Sequence, residues 1–202
     1  SFVLYHTRQY SLHPLYVLHC LIAYRNLFML RKVQNLSPVE RTELIAYLRS
    51  FKWDERLHTY DKVLSRRTRY LTVLMENMDH PHNVSAVLRS CECFGIQNVH
   101  LVDDTDRYGV NKKVAMGSSK WLELTKYSHY KNNTEEALKQ LRSMGYRLVA
   151  TTPAQSAVSI NEFDILKGKT AFVFGTELTG ISSTVIEQAD EFISIPTVGF
   201  TE

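Results

Sequence analysis

Apolar and polar positions along the chain follow two different spacings, which alternate from residue 70 onwards. Apolar runs predict strands, and apolar positions at helical spacing predict helices between them. The predicted strands lie at 71–78, 98–102, 121–127, 146–152, 170–174 and 191–195. The predicted helices lie at 84–93, 133–144 and 182–189. Strands that alternate with helices predict an α/β fold with a mostly parallel sheet and helices on both faces.

Two glycines are predicted to end the first two of these helices. Gly95 and Gly145 each follow the last apolar position of a helical segment. Glycine readily adopts the left-handed conformation that closes a helix. At the other end of the first helix, Asn83 stands just before Val84 and is expected to cap the helix amino terminus.

The segment before the sheet is predicted to be a small helical module. Ser37, Pro38 and Glu40 form a capping box with proline in the first turn. Apolar positions at helical spacing continue this helix through 44–51, and a second helix is expected at 53–64.

The helical module and the sheet domain that follows it also differ in net charge. Residues 1–70 hold 12 Lys and Arg against 5 Asp and Glu, whereas residues 71–202 hold 12 against 16. A basic module joined to a slightly acidic domain indicates contact with a polyanion. A solvated helical face would give the same surplus, so charge alone does not decide between these readings.

The cysteines predict neither a disulfide framework nor a zinc site. The chain has three, Cys20, Cys91 and Cys93, and no group of Cys and His has zinc-ligand spacing. We therefore expect reduced thiols, a cytoplasmic location and no bound metal.

The first 28 residues receive no structural assignment. The apolar segment at 15–30 is interrupted by Arg25 and is shorter than the ~20 residues of a membrane span, so no membrane association is expected. Met29 offers a natural start, in which case residues 1–28 would be a non-native extension.

Three stretches carry the candidate chemistry, and each follows a predicted strand. Asn83 and Arg89 lie at the start of the first sheet-domain helix and two turns inside it. The other two stretches are 174–181, which reads FGTELTGI, and 195–200, which reads IPTVGF. Because ligands bind at the carboxyl ends of parallel strands, we expect the three to meet there. The glycine spacing fits neither a dinucleotide fingerprint nor a phosphate loop.

Together these stretches resemble the SpoU (TrmH-like) family of RNA ribose 2′-O-methyltransferases, within the trefoil-knotted SPOUT class. The first motif, N-x-x-A-x-x-R, stands at 83–89, the second, F-G-x-E-x-x-G-I, at 174–181, and the third opens at 195–199. The wording PHNVSA around the first motif is closest to the tRNA guanosine branch, in which a D-loop guanosine is methylated. The family's third motif continues beyond Glu202, so we expect the final knot segment to be missing here.

The resemblance implies S-adenosyl-L-methionine as the methyl donor and Arg89, Asn83 and Glu177 as the catalytic residues. An arginine guanidinium stays protonated up to about pH 12. We therefore expect Arg89 to bind the adjacent phosphate and stabilise the forming alkoxide rather than act as a base. Asn83 is expected to hold Arg89 or the substrate, and Glu177 to orient Asn83 or nearby amides. The ordinary alternatives are a surface salt bridge, a simple helix cap and a helix-dipole acid, respectively.

For the cofactor, the resemblance implies backbone contacts near Thr151, Gly175 and Ile195. Backbone groups would read the adenine edge, and Gly175 would let the ligand approach the end of its strand. Thr151 is also compatible with an ordinary threonine at a strand end.

The basic module fits an extension that grips RNA through its phosphates, with Arg66, Arg67 and Arg69 as the predicted contacts. Family members dimerise through the knot region, which implies a homodimer whose extensions serve each other's sites. The predicted divisions are an unassigned 1–28, a helical RNA-binding extension at 29–69 and an incomplete methyltransferase domain at 70–202.

The sequence thus predicts a tRNA (guanosine-2′-O-)-methyltransferase. One alternative stays in the family but methylates a ribose of ribosomal RNA, because the basic module suits either RNA. The other is a non-catalytic RNA-binding module that kept the fold and lost the methyl donor.

Overall fold

The computed structural model describes residues 35–104, 117–154, 156–197 and 199, so the predictions for residues 1–28 and Met29 lie outside the described residues. The chain forms two compact units, 1–65 and 66–202. The described part of the first unit is helical, and the second unit contains the sheet. Arg66 and the arginines that follow it therefore belong to the sheet unit.

In the first unit, helices α1 (Pro38–Arg49) and α2 (Asp54–Leu64) confirm the predicted pair. The capping box is present, since the Ser37 backbone N–H donates to the Glu40 carboxylate at 2.8 Å and the Glu40 N–H donates to Ser37 Oγ at 3.3 Å. Arg49 and Asp61 join the two helices through a bidentate ion pair, with both N–O distances 2.9 Å. Neither helix contains a buried residue.

The second unit is built on a seven-stranded parallel sheet in the order β3-β2-β1-β6-β4-β7-β5. The strands are β1 (Leu71–Glu76), β2 (Asn98–Val102), β3 (Glu123–Tyr127), β4 (Arg147–Thr151), β5 (Val158–Ser159), β6 (Thr170–Phe174) and β7 (Glu191–Ser194). The six predicted strands and the predicted parallel arrangement are confirmed. The two-residue β5 was not predicted, because so short a strand leaves no period in the sequence.

Helices cover both faces of the sheet, as predicted. They are α3 (Pro81–Cys93), α4 (Asn133–Ser143) and α5 (Ser183–Gln188), with short 3₁₀ turns at Ser118–Lys120 and Ile165–Lys167. The apolar side of α3 packs with Val73 and Met75 on one face. The apolar sides of α4 and α5 pack with Leu74 and Val173 on the other. The alternation of β1 side chains between the two cores is the two-residue period of a strand.

The two glycine stops are confirmed. Gly95 has φ +77° and Gly145 has φ +81°. After α3, the Ile96 N–H donates to the Cys91 carbonyl at 2.9 Å and the Gly95 N–H donates to the Glu92 carbonyl at 3.2 Å. This pair of bonds is the Schellman motif, in which a left-handed residue lets the chain satisfy the last carbonyls of a helix.

The prediction that Asn83 caps α3 is wrong. The helix begins at Pro81, three residues before Val84, and the N-cap position is held by His80, whose side chain makes no capping hydrogen bond. Proline suits the first helical turn because its fixed φ is already helical and its missing N–H would have no partner there. Asn83 is therefore inside the helix, and its side chain is free for another contact.

Candidate active site at the carboxyl edge of the sheet

The parallel topology brings the predicted motifs to one edge of the sheet. Strands β1, β6, β4 and β7 are consecutive neighbours, so their carboxyl ends lie side by side. The residues that end or follow these strands are Glu76 on β1, Gly175 after β6, Thr151 on β4 and Ile195 after β7. Helix α3, which carries Asn83, also starts from this edge because it follows β1.

Asn83 and Glu177 connect the first and second motifs directly. Asn83 Nδ2 donates a hydrogen bond to Glu177 Oε2 at 3.2 Å. Asn83 is half-buried in the first turn of α3, and Glu177 is exposed in the loop after β6. The carboxylate therefore orients the asparagine amide, which is the contact expected of Glu177 from the sequence.

The loop at 175–181 is a closed turn. The backbones of Thr176 and Gly180 exchange two hydrogen bonds of 2.9 and 3.1 Å, and the Thr179 N–H donates to Thr176 Oγ1 at 2.9 Å. A Cβ atom at Gly175 would overlap the backbone of Gly180 and Ile181. On that side the space at Gly175 is filled by the chain itself, so the turn leaves no room for a side chain at this position.

Glu76 was missed by the sequence reasoning. It ends β1, is 2% exposed and accepts three hydrogen bonds, from Thr134 Oγ1 at 2.7 Å, Ser182 Oγ at 2.6 Å and the Ser182 N–H at 2.9 Å. Burying a carboxylate is unfavourable unless hydrogen bonds compensate the lost hydration. The sequence did contain a signal for this residue, since Glu76 is a charged residue at the end of the apolar run that forms β1.

A second polar network beside it was also missed. Asn77 has φ +47°, and its amide group donates to Asp104 Oδ2 at 2.7 Å and accepts from the Asp104 N–H at 3.0 Å. Asn133 Nδ2 donates to the other oxygen of Asp104 at 2.6 Å. These bonds connect the ends of β1 and β2 with the first turn of α4.

Arg89 lies on the exposed side of α3. Within the part of the chain that the structure describes, it forms no hydrogen bond or ion pair, with Asn83, Glu177 or any other residue. The expected contact between Asn83 and Arg89 is therefore not formed here. The ordinary alternative, a surface salt bridge, is not formed either, and the guanidinium is available to an external anion.

The predicted cofactor residues occupy adjacent strand ends. Thr151 Oγ1 donates to the Val173 carbonyl at 3.0 Å, which uses the threonine hydroxyl to bind β4 to β6. Ile195 is 53% exposed, and the segment 195–197 is exposed with it. The proton of the Thr151 hydroxyl is therefore engaged within the sheet.

The three predicted RNA-binding arginines have different environments. The Arg67 side chain is only 8% exposed and pairs with Glu92 at 2.7 Å. Arg69 forms an ion pair with Glu123. Arg66 is exposed and, among the described residues, has no hydrogen-bond or ion-pair partner. All three precede β1 and so lie at the amino edge of the sheet, opposite the candidate site.

The residues that the structure describes contain no group of three or more His, Cys, Asp or Glu side chains placed to hold a metal ion. Within the same ranges, no helix is long and apolar enough to cross a membrane.

With this geometry established, comparison with known proteins identifies the family. The sequence model of the SpoU rRNA Methylase family matches residues 70–202. The chain belongs to the SpoU rRNA Methylase family. The matched range contains the whole sheet and all three motifs, so the family predicted from the sequence is confirmed.

Curated relatives of this SpoU family member are tRNA-modifying enzymes. The tRNA (guanosine(18)-2′-O)-methyltransferase of Borreliella burgdorferi is 37% identical over 158 residues, which cover 78% of this chain and 70% of that protein. The enzyme of the same name from Thermus thermophilus is 34% identical over 149 residues, or 74% of each chain.

Solved structures confirm the fold class. The A. aeolicus TrmH/SpoU tRNA modifying enzyme superposes with a TM-score of 0.63 at 30% identity, covering 73% of each chain. The SpoU methyltransferase AviRb of Streptomyces viridochromogenes shares the fold, with a TM-score of 0.56 at 20% identity over 69% of this chain and 55% of that one. The trefoil knot itself stays a prediction for this SpoU family member.

Proposed function

We propose that this protein methylates the ribose 2′-hydroxyl of a guanosine in the D-loop of tRNA, with S-adenosyl-L-methionine as the methyl donor. The observation that carries the proposal is the Asn83–Glu177 hydrogen bond, which unites two family motifs at the ligand-binding edge of the sheet. The choice of tRNA rests on the relatives, which are named for guanosine 18 of tRNA.

The chemistry requires orientation and charge stabilisation more than a strong base. A ribose hydroxyl is a weak nucleophile, and negative charge develops on its oxygen during transfer. Bound S-adenosyl-L-methionine supplies an electrophilic methyl group whose carbon–sulfur bond breaks as the oxygen–carbon bond forms. The protein must hold the hydroxyl in line and stabilise its oxygen while the hydroxyl proton leaves to solvent.

Arg89 is the residue assigned to the developing charge. It is exposed and has no partner among the described residues, so its five N–H donors are available to a phosphate and to the ribose oxygen. A guanidinium bound to both would position the ribose and stabilise the alkoxide at the same time.

Asn83 is assigned to the substrate hydroxyl. The bond to Glu177 uses one N–H of its amide and leaves Oδ1 as an acceptor. Glu177 fixes the amide so that this oxygen can accept from the ribose hydroxyl as the proton leaves.

The strand ends beside this pair suit the cofactor. Thr151, Gly175 and Ile195 lie at the carboxyl ends of three neighbouring strands and are half-buried or exposed. Their backbone groups would hold the adenine, and the exposed Ile195 side chain offers an apolar surface for its ring.

RNA binding, assembly and location complete the proposal. The six residues of β1 separate Arg66 from the candidate site by about 20 Å. We propose a cytoplasmic homodimer in which the basic extension of one subunit lies near the candidate site of the other, so that one RNA contacts both. Arg66 is assigned a phosphate contact because it is exposed and has no ion-pair partner among the described residues.

Methyl transfer to defined RNAs tests the proposal. The full chain is incubated with methyl-tritiated S-adenosyl-L-methionine and a tRNA transcript, and we expect label at one D-loop guanosine. A transcript with 2′-deoxyguanosine at that position should accept none. Because the family is described by rRNA, a ribosomal RNA fragment is the second substrate, and labelling of that fragment alone would overturn the tRNA assignment. Binding of S-adenosylhomocysteine, followed by calorimetry, distinguishes an enzyme from a non-catalytic RNA-binding module.

A further inference from the structure

Glu76 is a buried carboxylate that uses both of its oxygens. Oε1 accepts from the hydroxyls of Thr134 and Ser182, and Oε2 accepts from the Ser182 backbone N–H. It is 2% exposed and forms no ion pair within the described part of the chain. Two of its three bonds go to one residue, so Glu76 holds Ser182 more firmly than any other neighbour.

Ser182 is the residue at which the loop of the second motif ends. It is the N-cap of α5, and its Oγ also accepts from the Val185 N–H at 3.3 Å. The other end of the loop is fixed by β6, where Phe174 pairs with Met75 of β1. The residue after Met75 is Glu76, so both ends of the loop are held by adjacent residues of one strand.

Between these two ends, the loop places Glu177 against Asn83. The Thr176–Gly180 backbone pair closes the turn, and Gly175 fits against Gly180 with no room for a side chain. A displacement of Ser182 would therefore move the whole turn and the carboxylate at its tip.

We propose that Glu76 is a positioning residue for methyl transfer, acting through Ser182 on the loop that carries Glu177. The inference rests on the proposed function, since it assigns Glu76 a part in the same reaction. Glu76 does not touch the reacting atoms. It sets the position of Glu177 and through it the orientation of Asn83.

Replacement of the carboxylate by an amide shows why its chemistry matters. Glutamine has one acceptor oxygen and one donor group where Glu76 has two acceptors. If its oxygen faced the two hydroxyls, its NH₂ group would face the Ser182 N–H, and two donors would oppose each other. In the reverse orientation Thr134 and Ser182 would have to accept instead of donate. Glu76→Gln should therefore loosen Ser182 without changing side-chain volume.

Thr134 provides a matched control, because its hydroxyl donates to the same oxygen of Glu76 as the Ser182 hydroxyl does. Thr134→Val and Ser182→Ala each remove one hydroxyl that donates to Glu76 Oε1. Thr134 lies on α4, which contributes no residue to the loop that carries Glu177, whereas Ser182 ends that loop. Ser182→Thr keeps the hydroxyl and should restore the wild-type behaviour.

Steady-state kinetics of the full chain with tRNA form the first test. A misplacement of about 1 Å can reduce a rate by about 100-fold. We expect Glu76→Gln and Ser182→Ala to lower kcat by roughly 10- to 100-fold per folded molecule, with KM for tRNA within about twofold. Thr134→Val should lose stability but keep kcat within about twofold. Equal falls of kcat in Ser182→Ala and Thr134→Val would overturn the role of Glu76.

Hydrogen exchange separates this inference from the proposed function. The loop amides of Thr176, Thr179 and Gly180 are hydrogen-bonded, so their exchange reports the closed turn. Exchange across 176–182 should accelerate in Ser182→Ala and not in Thr134→Val. Unchanged exchange in Ser182→Ala overturns the role of Glu76 whatever the activity. A wild-type protein that transfers no methyl group overturns the proposed function instead. If Glu76→Gln does not fold, the Ser182 and Thr134 variants still decide the question.

Discussion

Asn83 and Glu177 are 94 residues apart in the sequence and are joined by a 3.2 Å hydrogen bond. The bond lies at the surface, where a single such contact contributes only about 1 kcal/mol to stability. Because it joins two family motifs, we propose that its role is functional rather than structural.

The pair should behave as one unit in catalysis. We expect Asn83→Ala and Glu177→Ala each to reduce kcat by roughly 10- to 1,000-fold, and the double variant to lose much less than the product of the two. Single-turnover methyl transfer to tRNA measures all three. Glu187→Ala, which changes another exposed acid just beyond the loop on α5, is the matched control and should keep full activity. Multiplicative losses would show that the two residues act independently.

Arg89 should matter for the rate and not for folding. Because the side chain is exposed and has no partner among the described residues, Arg89→Ala should leave the free energy of unfolding within about 0.5 kcal/mol of wild type. Loss of its charge at the ribose oxygen should lower kcat by about 100-fold or more. Arg89→Lys should recover only part of that loss, because lysine lacks the planar fork of donors. Urea unfolding gives the free energy of unfolding, and methyl-transfer kinetics on the same samples give kcat. Full activity in Arg89→Ala would exclude the assigned role.

Arg66 and Arg67 are neighbours for which opposite results are expected. Arg67 is nearly buried against Glu92, so Arg67→Ala should lower the free energy of unfolding by about 1–3 kcal/mol. Arg66→Ala should leave stability unchanged and weaken tRNA binding, with a salt dependence smaller by about one phosphate contact. Filter binding across a salt series and urea unfolding compare the two variants directly. An unchanged salt dependence in Arg66→Ala would remove it from the RNA contacts.

His100 should make the fold sensitive to acid. Burial lowers the pKa of His100 to about 4, and its Nδ1 lies 2.9 Å from the hydroxyl of Tyr127. Burial also raises the pKa of Tyr127, which therefore does not titrate in this range. As pH falls from about 6.5 to about 4, the unfolded chain takes up a proton that the folded chain does not, so the free energy of unfolding decreases by about 3 kcal/mol.

The measurement for His100 is a pH series of urea unfolding. For each protein, the free energy of unfolding at a given pH is compared with that of the same protein at neutral pH. An overall loss of stability in the variant therefore does not affect the result. His100→Leu should show a decline between about pH 6.5 and 4 that is smaller than wild type by about 3 kcal/mol. Carboxylates titrate in both proteins and cancel in the difference. Identical pH profiles would mean that His100 is protonated equally in the folded and unfolded chains.

The features that local sequence patterns determine were predicted correctly. The strands, the helices and the turns at Gly95 and Gly145 depend on spacing within about ten residues, and all of them are found. The meeting of the motifs at one edge followed from parallel topology alone.

The sequence could not predict what depends on tertiary partners. The three donors to Glu76 come from residues 58 and 106 positions away, and no local pattern encodes them. Arg67 reads as a surface cation until Glu92 is placed beside it. Gly175 suggested room for a ligand because its true neighbour, the backbone of Gly180, becomes visible only when the turn is closed.

The position of β1 between β2 and β6 has a consequence for biosynthesis. While the chain emerges from the ribosome, β2 can pair with β1 and β3 with β2, but the other edge of β1 remains open until Thr170 and the residues after it have been translated. At about 5–20 residues per second, the 94 residues from Asn77 to Thr170 take roughly 5 to 20 seconds to translate. During that interval the nascent polypeptide presents an unpaired strand edge to chaperones and to other nascent chains.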